Sequence, residues 1–193
     1  MQRVGVLGGT FDPIHIGHLI AASEACDQLN LDKVLFIPAG NPWQKSEQKI
    51  SPAEHRLAMV QMAVSEDTRF KVSEIEILRS GPSYAIDTYE QLHKSEPDTE
   101  FIWILGADAA SNLQSWHRWE EFVATVPIAV VNRPGIDIPK IPIQTLSVVI
   151  PDVDVSATLL RERYQSGGTT KYLVPEAVDA YIRANNLYQS LGN

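Results

Sequence analysis

Val4-Gly5-Val6-Leu7-Gly8-Gly9-Thr10-Phe11-Asp12-Pro13-Ile14-His15-Ile16-Gly17-His18 is the stretch that decides the fold. Its first four residues read as a short buried strand, and Gly8-Gly9-Thr10 reads as a turn. Beyond it Leu19, Ile20, Ala22, Ser23, Cys26 and Leu29 return at helical spacing, which predicts a helix from about Ile16 to Leu29. A strand, a glycine turn and a helix in that order open an α/β unit.

The alternation continues outward. Val34-Leu35-Phe36-Ile37-Pro38 is a second strand, closed by its proline, and the polar loop from Ala39 to Ser51 is too long for a plain connector. Ser51-Pro52-Ala53-Glu54 has the form of a capping box with proline at the first helical position, opening a helix to about Val64. Phe70-Lys71-Val72 and Glu74-Ile75-Glu76-Ile77 read as strand or extended edge pieces. Tyr84 to His93 reads as helix, Glu100 to Leu105 as a buried strand ending at Gly106, and Asp108 to Phe122 as short helical pieces. Strands at Ile128–Val131 and Ser147–Ile150, then helices from about Ser156 to Tyr164 and from Pro175 to Asn185, finish the chain. Pro134 to Pro142 reads as a surface connection, so residues 1–193 are expected to form a single domain. The pattern predicts an α/β fold with a parallel sheet and helices on both faces. In such sheets ligands bind outside the carboxyl ends of the strands near a topological switch point. The loops that matter are then Gly8–His18, Ala39–Lys45, Gly106–Asp108 and the segment leading to Arg161.

Bulk properties narrow the function. A length of 193 residues suits one compact core, and a net charge of −8 excludes non-specific binding to nucleic-acid polymers or anionic membranes. A mononucleotide site needs only a few local cations and aimed N–H groups, so small anions stay open. The single cysteine, Cys26, permits no internal disulfide and suits a reducing cytoplasm; within its helix it reads as a small core residue. No apolar run has the length of a signal peptide or a membrane span, so a soluble cytoplasmic protein is expected.

The chemistry concentrates after the first strand. Gly8 and Gly9 let a phosphate approach the backbone, and the following helix start adds N–H groups and a positive dipole end. His15 and His18, three apart, share one helical face. They can be capping or packing residues, zinc ligands, or donors to an oxygen that gains charge during group transfer. Zinc needs further ligands, yet Cys26 is the only thiolate and no HExxH pattern occurs. The glycine turn favours the phosphate reading. Neither the Gly-x-Gly-x-x-Gly fingerprint of dinucleotide oxidoreductases nor the Walker lysine pattern is present, and Pro13 does not suit the former.

Gly8-Gly9-Thr10-Phe11-Asp12-Pro13-Ile14-His15-Ile16-Gly17-His18-Leu19 resembles the signature of the HxGH nucleotidyltransferase superfamily. The wider context is similar to the bacterial nicotinate-nucleotide adenylyltransferase family: Ile37 to Lys45, Gly81 to Thr88, Gly106-Ala107-Asp108, Trp116-His117-Arg118, Arg133-Pro134-Gly135 and Ser156 to Arg161. The resemblance implies a Rossmann-like nucleotidyltransferase fold and a reaction of NAD biosynthesis. In it, the 5′-phosphate of nicotinate mononucleotide attacks the α-phosphorus of ATP, giving deamido-NAD and pyrophosphate. It further implies catalytic roles for His15, His18, Lys45 and Arg161. Gly8, Gly9, Thr10, Phe11, Gly106, Asp108, Arg133, Ser156 and Thr158 would meet ATP and its phosphates. Tyr84, Ala85, Ile86, Trp116 and His117 would take the pyridine ring, largely through backbone amides. Taken alone, Lys45 reads as a solvated lysine, Ser156 and Asp108 as helix N-caps, and Trp116 as a packing residue. Three departures from the family pattern stand out: Ala157 replaces a common hydroxyl residue, Ala85 a common threonine and His117 a frequent tyrosine. Magnesium is expected to arrive with ATP, held by phosphates and water rather than by a dedicated protein site. The alternatives are nicotinamide mononucleotide or both mononucleotides as substrate, cytidylyl transfer, and a nucleotide-sensing module without activity. Self-association into a homo-oligomer is left open.

Overall fold

The computed structural model describes residues 1–43, 49–132 and 143–189; Lys45, Arg133 and the stretch from Pro134 to Pro142 lie outside them. Strands β1 (Gln2–Gly9), β2 (Lys33–Pro38), β3 (Phe70–Val72), β4 (Thr99–Gly106), β5 (Ile128–Asn132) and β6 (Leu146–Val149) form one six-stranded sheet. The order is β3-β2-β1-β4-β5-β6, and every neighbouring pair is parallel. The helices are α1 (Ile16–Leu29), α2 (Ala53–Val64), α3 (Ile75–Leu78), α4 (Ala85–Ser95), α5 (Ala107–Ser111), α6 (Trp119–Thr125), α7 (Ala157–Ser166) and α8 (Glu176–Ala184). Strand order reverses between β1 and β4, which creates a switch point at their carboxyl ends.

Both faces of the sheet are covered, and this explains why β1 reads as a continuous apolar run. Ile102 and Ile104 face a core built with Ala22 and Cys26 of α1, Met59 of α2, Leu160 of α7 and Ile182 of α8. Val4, Val6, Phe101, Trp103 and Leu105 face the opposite core, closed by Ile86 and Leu92 of α4 and Phe122 of α6. The expected parallel sheet with helices on both faces is what the chain forms. Cys26 is buried, in keeping with its reading as a core residue. Among the described residues no helix is long and apolar enough to cross a membrane.

Three local expectations are corrected. Gly8 and Gly9 are not a turn: they continue the β1–β2 ladder opposite Ile37 and Pro38, and the chain bends only at Thr10. The capping box at Ser51 does not form. Helix α2 starts at Ala53 with Pro52 in the cap position and no side-chain cap. Ser51 is drawn elsewhere, its N–H donating to Asp12 Oδ2 at 3.1 Å and its carbonyl accepting from Arg56 Nε at 2.9 Å. Finally, Glu74-Ile75-Glu76-Ile77 is not extended but enters the short helix α3. Alternation would place Glu76 outside, yet its carboxylate is buried and accepts the Thr88 hydroxyl at 2.7 Å. Tertiary contacts override the local pattern there.

Gly40 shows how tightly α3 is docked. A Cβ at this position would lie 2.1 Å from the Glu76 carbonyl oxygen, and backbone cannot yield as a flexible side chain can. Gly40→Ala should therefore lower the unfolding free energy by about 2 kcal/mol or more in urea titrations. An unchanged urea midpoint would contradict this packing.

Candidate functional site

A cleft of about 680 Å³ opens over the carboxyl ends of β1, β2 and β4, at the switch point, in the size range of small-ligand sites. Its wall is the segment Gly8–Asp12 with His15 and His18 from the start of α1. Trp103, Leu105, Gly106 and Asp108 line it from β4 and α5, and Ser156 to Thr158 with Arg161 from α7. Trp43, Tyr84, Ala85, Trp116 and His117 form an aromatic end.

The two imidazoles are stacked, with ring centroids 3.8 Å apart and planes 30° from parallel. His15 occupies the N-cap position of α1 and His18 the third helical position, which puts both rings over the helix start. The His15 backbone N–H donates to His18 Nδ1 at 3.2 Å. An accepting Nδ1 carries no proton, so neutral His18 holds its proton on Nε2 and presents that nitrogen as a donor. His15 is only 7% exposed, and burial pushes its pKa down from 6.5 to about 4. It is therefore neutral near pH 7, which lets the rings stack without charge repulsion. Gly17 makes room for the pair. A Cβ there would lie 3.0 Å from Val155 Cγ1 and 3.1 Å from His15 Nδ1, so these side chains would have to give by a few tenths of an ångström.

The bend before the histidines is held as firmly. Phe11 adopts the left-handed region at φ 50°, unusual for a bulky residue. Its ring is buried edge-on to His18 at 5.0 Å and tilted against Phe36 at 6.0 Å. Asp12, 4% exposed, accepts from the Ser51 N–H and from the Tyr188 hydroxyl at 2.5 Å. Arg161 Nη1 donates to the Asp12 carbonyl at 2.8 Å and Nη2 to Thr158 Oγ1 at 3.2 Å, which fixes the guanidinium at the cleft.

Most sequence-derived candidates meet here: Gly8, Gly9, Thr10, Phe11, His15, His18, Tyr84, Ala85, Gly106, Asp108, Trp116, His117, Ser156, Thr158 and Arg161 all border the cleft. Lys45 and Arg133 lie outside the described residues. The Ile86 side chain is buried in the core rather than at the cleft, so only its backbone can serve a ligand. Ser156 is the α7 N-cap, its Oγ accepting from the Leu159 N–H at 3.2 Å. Asp108 is not a cap; Gly106 holds that position in α5. The start of α1 offers fewer donors than expected, because Ile16 N–H binds the Leu173 carbonyl at 3.1 Å and His18 N–H the His15 carbonyl at 3.0 Å. Trp116 serves both readings, lining the cleft while tilting onto Phe122 at 5.7 Å. At the aromatic end Tyr84 and His117 stack at 4.1 Å, with Trp43 edge-on to Tyr84 at 5.9 Å.

Sequence reasoning placed Asp12 and Trp43 in the expected binding loops without giving them a role, and missed Trp103 and Glu76 as lining residues. Burial pushes the Glu76 carboxyl above the usual carboxylate range, opposed by hydrogen bonds from Thr88 and Ser83. Arg56 was missed as well. It is 1% exposed and lies in phase with Met59, Val60 and Val64 on the buried face of α2. A charged residue on an apolar helical stripe was the available signal.

Comparisons with known proteins place the chain in a family. The family profile described as cytidylyltransferase-like matches residues 6–163. A probable nicotinate-nucleotide adenylyltransferase of Leifsonia xyli subsp. xyli is 44% identical, over 98% of this chain and 95% of its own length. One from Geobacillus thermodenitrificans is 43% identical, over 97% and 87% respectively. Among solved structures, Plasmodium falciparum nicotinic acid mononucleotide adenylyltransferase complexed with NaAD superposes with a TM-score of 0.83, covering 97% of this chain and 98% of that one. At 18% identity that likeness speaks for the fold.

The His15 pKa has a checkable sign. Because the folded value of about 4 lies below the unfolded value near 6.5, the unfolded chain binds the extra proton between them. The penalty is absent above pH 6.5, grows as pH falls and levels off near pH 4, reaching at most about 3 kcal/mol. His15→Gln should flatten the pH dependence of urea unfolding across this window. Parallel profiles for the two proteins would show that His15 is not the group held neutral.

Proposed function

The chain belongs to the cytidylyltransferase-like family and to the nicotinate-nucleotide adenylyltransferases within its reach, and on that premise we propose that it adenylylates nicotinate mononucleotide with ATP, a step of NAD biosynthesis. An oxygen of the mononucleotide 5′-phosphate attacks the α-phosphorus of ATP. The bond from that phosphorus to the β-phosphate oxygen breaks, and deamido-NAD and pyrophosphate leave. The attacking phosphate is already an anion, so the protein needs no nucleophile of its own. Its work is positioning and stabilising charge.

The observation that best supports this reading is convergence. The stacked His15–His18 pair, the Thr10–Asp12 bend and the Arg161 guanidinium all border one cleft at the end of β1. His18 Nε2 is the donor assigned to the α-phosphate, where its bond strengthens as charge builds. Neutral His15 packs against it and keeps its orientation. Arg161, already tied to Asp12 and Thr158, is assigned to the departing pyrophosphate, for which charge-assisted bonds outweigh neutral ones. Lys45 and Arg133 are proposed to add charge at the phosphates on the strength of the family resemblance. Gly106 and Asp108, at the end of β4, are proposed to meet the adenosine.

The aromatic end supports a pyridine ring. Tyr84 is the N-cap of α4 without a side-chain cap bond, so the Ala85 and Ile86 N–H groups at that helix start suit a carboxylate. Nicotinate carries one where nicotinamide carries an amide, whose NH2 would face donors and leave them unpaired. If backbone amides make this contact, Ala85 in place of threonine costs little.

Magnesium is proposed to enter as the ATP complex and to offset phosphate charge. Among the described residues no three His, Cys, Asp or Glu side chains are grouped to hold a metal, so phosphate oxygens and water are assigned as its ligands.

ATP, magnesium and nicotinate mononucleotide should yield deamido-NAD and pyrophosphate, identified by mass. At equal concentration nicotinamide mononucleotide should turn over more slowly. His18→Ala should reduce turnover at least about tenfold with the fold intact by circular dichroism. Product from CTP instead of ATP, or full activity in His18→Ala, would defeat the assignment.

A further inference from the structure

Arg56 is among the largest fully buried side chains, yet among the described residues its hydrogen bonds go to backbone carbonyls rather than to a carboxylate, and it does not border the cleft. It binds backbone carbonyls from three separate segments. Nη1 donates to Thr10 at 2.9 Å, Nε to Ser51 at 2.9 Å and Nη2, more distantly, to Gly40 at 3.4 Å. Asp12 closes the other side, accepting from the Ser51 N–H at 3.1 Å and the Tyr188 hydroxyl at 2.5 Å. Four parts of the chain therefore meet behind the bend: the end of β1, the loop after β2, the approach to α2 and the segment following α8.

Two physical facts give this cluster a purpose. First, the Thr10–Phe11 peptide is trans, the only cis peptide among the described residues being Asp12–Pro13. In a trans peptide C=O and N–H point in opposite directions. With the Thr10 carbonyl held by Arg56 behind the wall, the Phe11 N–H must point away from Arg56, toward the cleft that Thr10 and Phe11 line. Second, Phe11 sits at φ 50°, a conformation that persists in a bulky residue only when its surroundings enforce it.

We propose that Arg56 and Tyr188 are positioning residues that brace the Thr10–Asp12 bend from behind, so that the Phe11 N–H aims at the phosphate undergoing transfer. This rests on the adenylyl-transfer reading above. A purely structural pair would set the melting temperature and leave the rate of the folded enzyme alone. A brace sets the rate, because a donor displaced by a fraction of an ångström loses its grip on developing charge while ground-state binding, shared among many contacts, changes little.

The full-length chain and its Arg56→Lys, Arg56→Ala and Tyr188→Phe variants should be compared in single turnover with saturating ATP and nicotinate mononucleotide, well below each melting midpoint. Lysine retains charge but cannot bridge three carbonyls, so Arg56→Lys should slow the step roughly 10- to 100-fold. Tyr188→Phe, which deletes one hydroxyl, should slow it roughly fivefold. KM values should stay within about twofold of the parent, and added guanidinium should restore part of the rate in Arg56→Ala. Folded variants that react at the parent rate overturn the brace. Should both Arg56 variants fail to fold, Tyr188→Phe decides alone, and a parent-like rate overturns the proposal. A parent protein that forms no dinucleotide overturns the functional reading first, a result distinct from either.

Discussion

Phe11 turns the chain with a left-handed backbone at φ 50°, and the proposed chemistry depends on that bend staying where it is. A strand buried on both faces delivers it to the switch point of the sheet. Phe11 then plugs its ring against Phe36 and His18, while the next residues are tied down through Asp12. A non-glycine residue in this conformation costs roughly 1–3 kcal/mol, which packing and hydrogen bonds must offset. Rigid strain of this kind fits a site that stabilises charge with fixed donors, since such donors need not reorganise as the charge moves.

The chain carries a net charge of −8 yet is built to hold phosphates. The contradiction dissolves locally. Among the described residues the donors proposed for phosphate are individually fixed: His18 through its Nδ1, Arg161 through Asp12 and Thr158, and the backbone through the Arg56 contacts. Asp12 belongs to the same logic. Its carboxylate is occupied by Ser51 and Tyr188, so an acid beside a phosphate site is turned to structural use. His15 stays neutral because it is buried, and the part proposed for it is to hold the stacked His18 ring in orientation.

Much of this was legible in the chain. Strand and helix periodicity gave the parallel sheet and both helical layers, and the glycine-histidine stretch located the cleft, because these signals are local and strongly periodic. What stayed hidden was long-range. Glu74 to Ile77 alternates like a strand, yet Gly40 and Thr88, distant in sequence, make it helical and bury Glu76. Ser51 has the spacing of a capping residue, but Asp12 and Arg56 compete for its backbone and win. Arg56 carried a visible sign, a cation on an apolar stripe, although nothing nearby in sequence says which carbonyls it holds. Tyr188 lies 176 residues from Asp12, a separation that no local pattern spans.

The most direct measurement is a crystal structure with a non-hydrolysable α,β-methylene analogue of ATP. The α-phosphate oxygens should lie within about 3.2 Å of His18 Nε2 and of the Phe11 backbone nitrogen, with the Thr10–Asp12 bend unmoved. An α-phosphate bound elsewhere in the cleft, with both imidazoles facing only protein, would contradict the account.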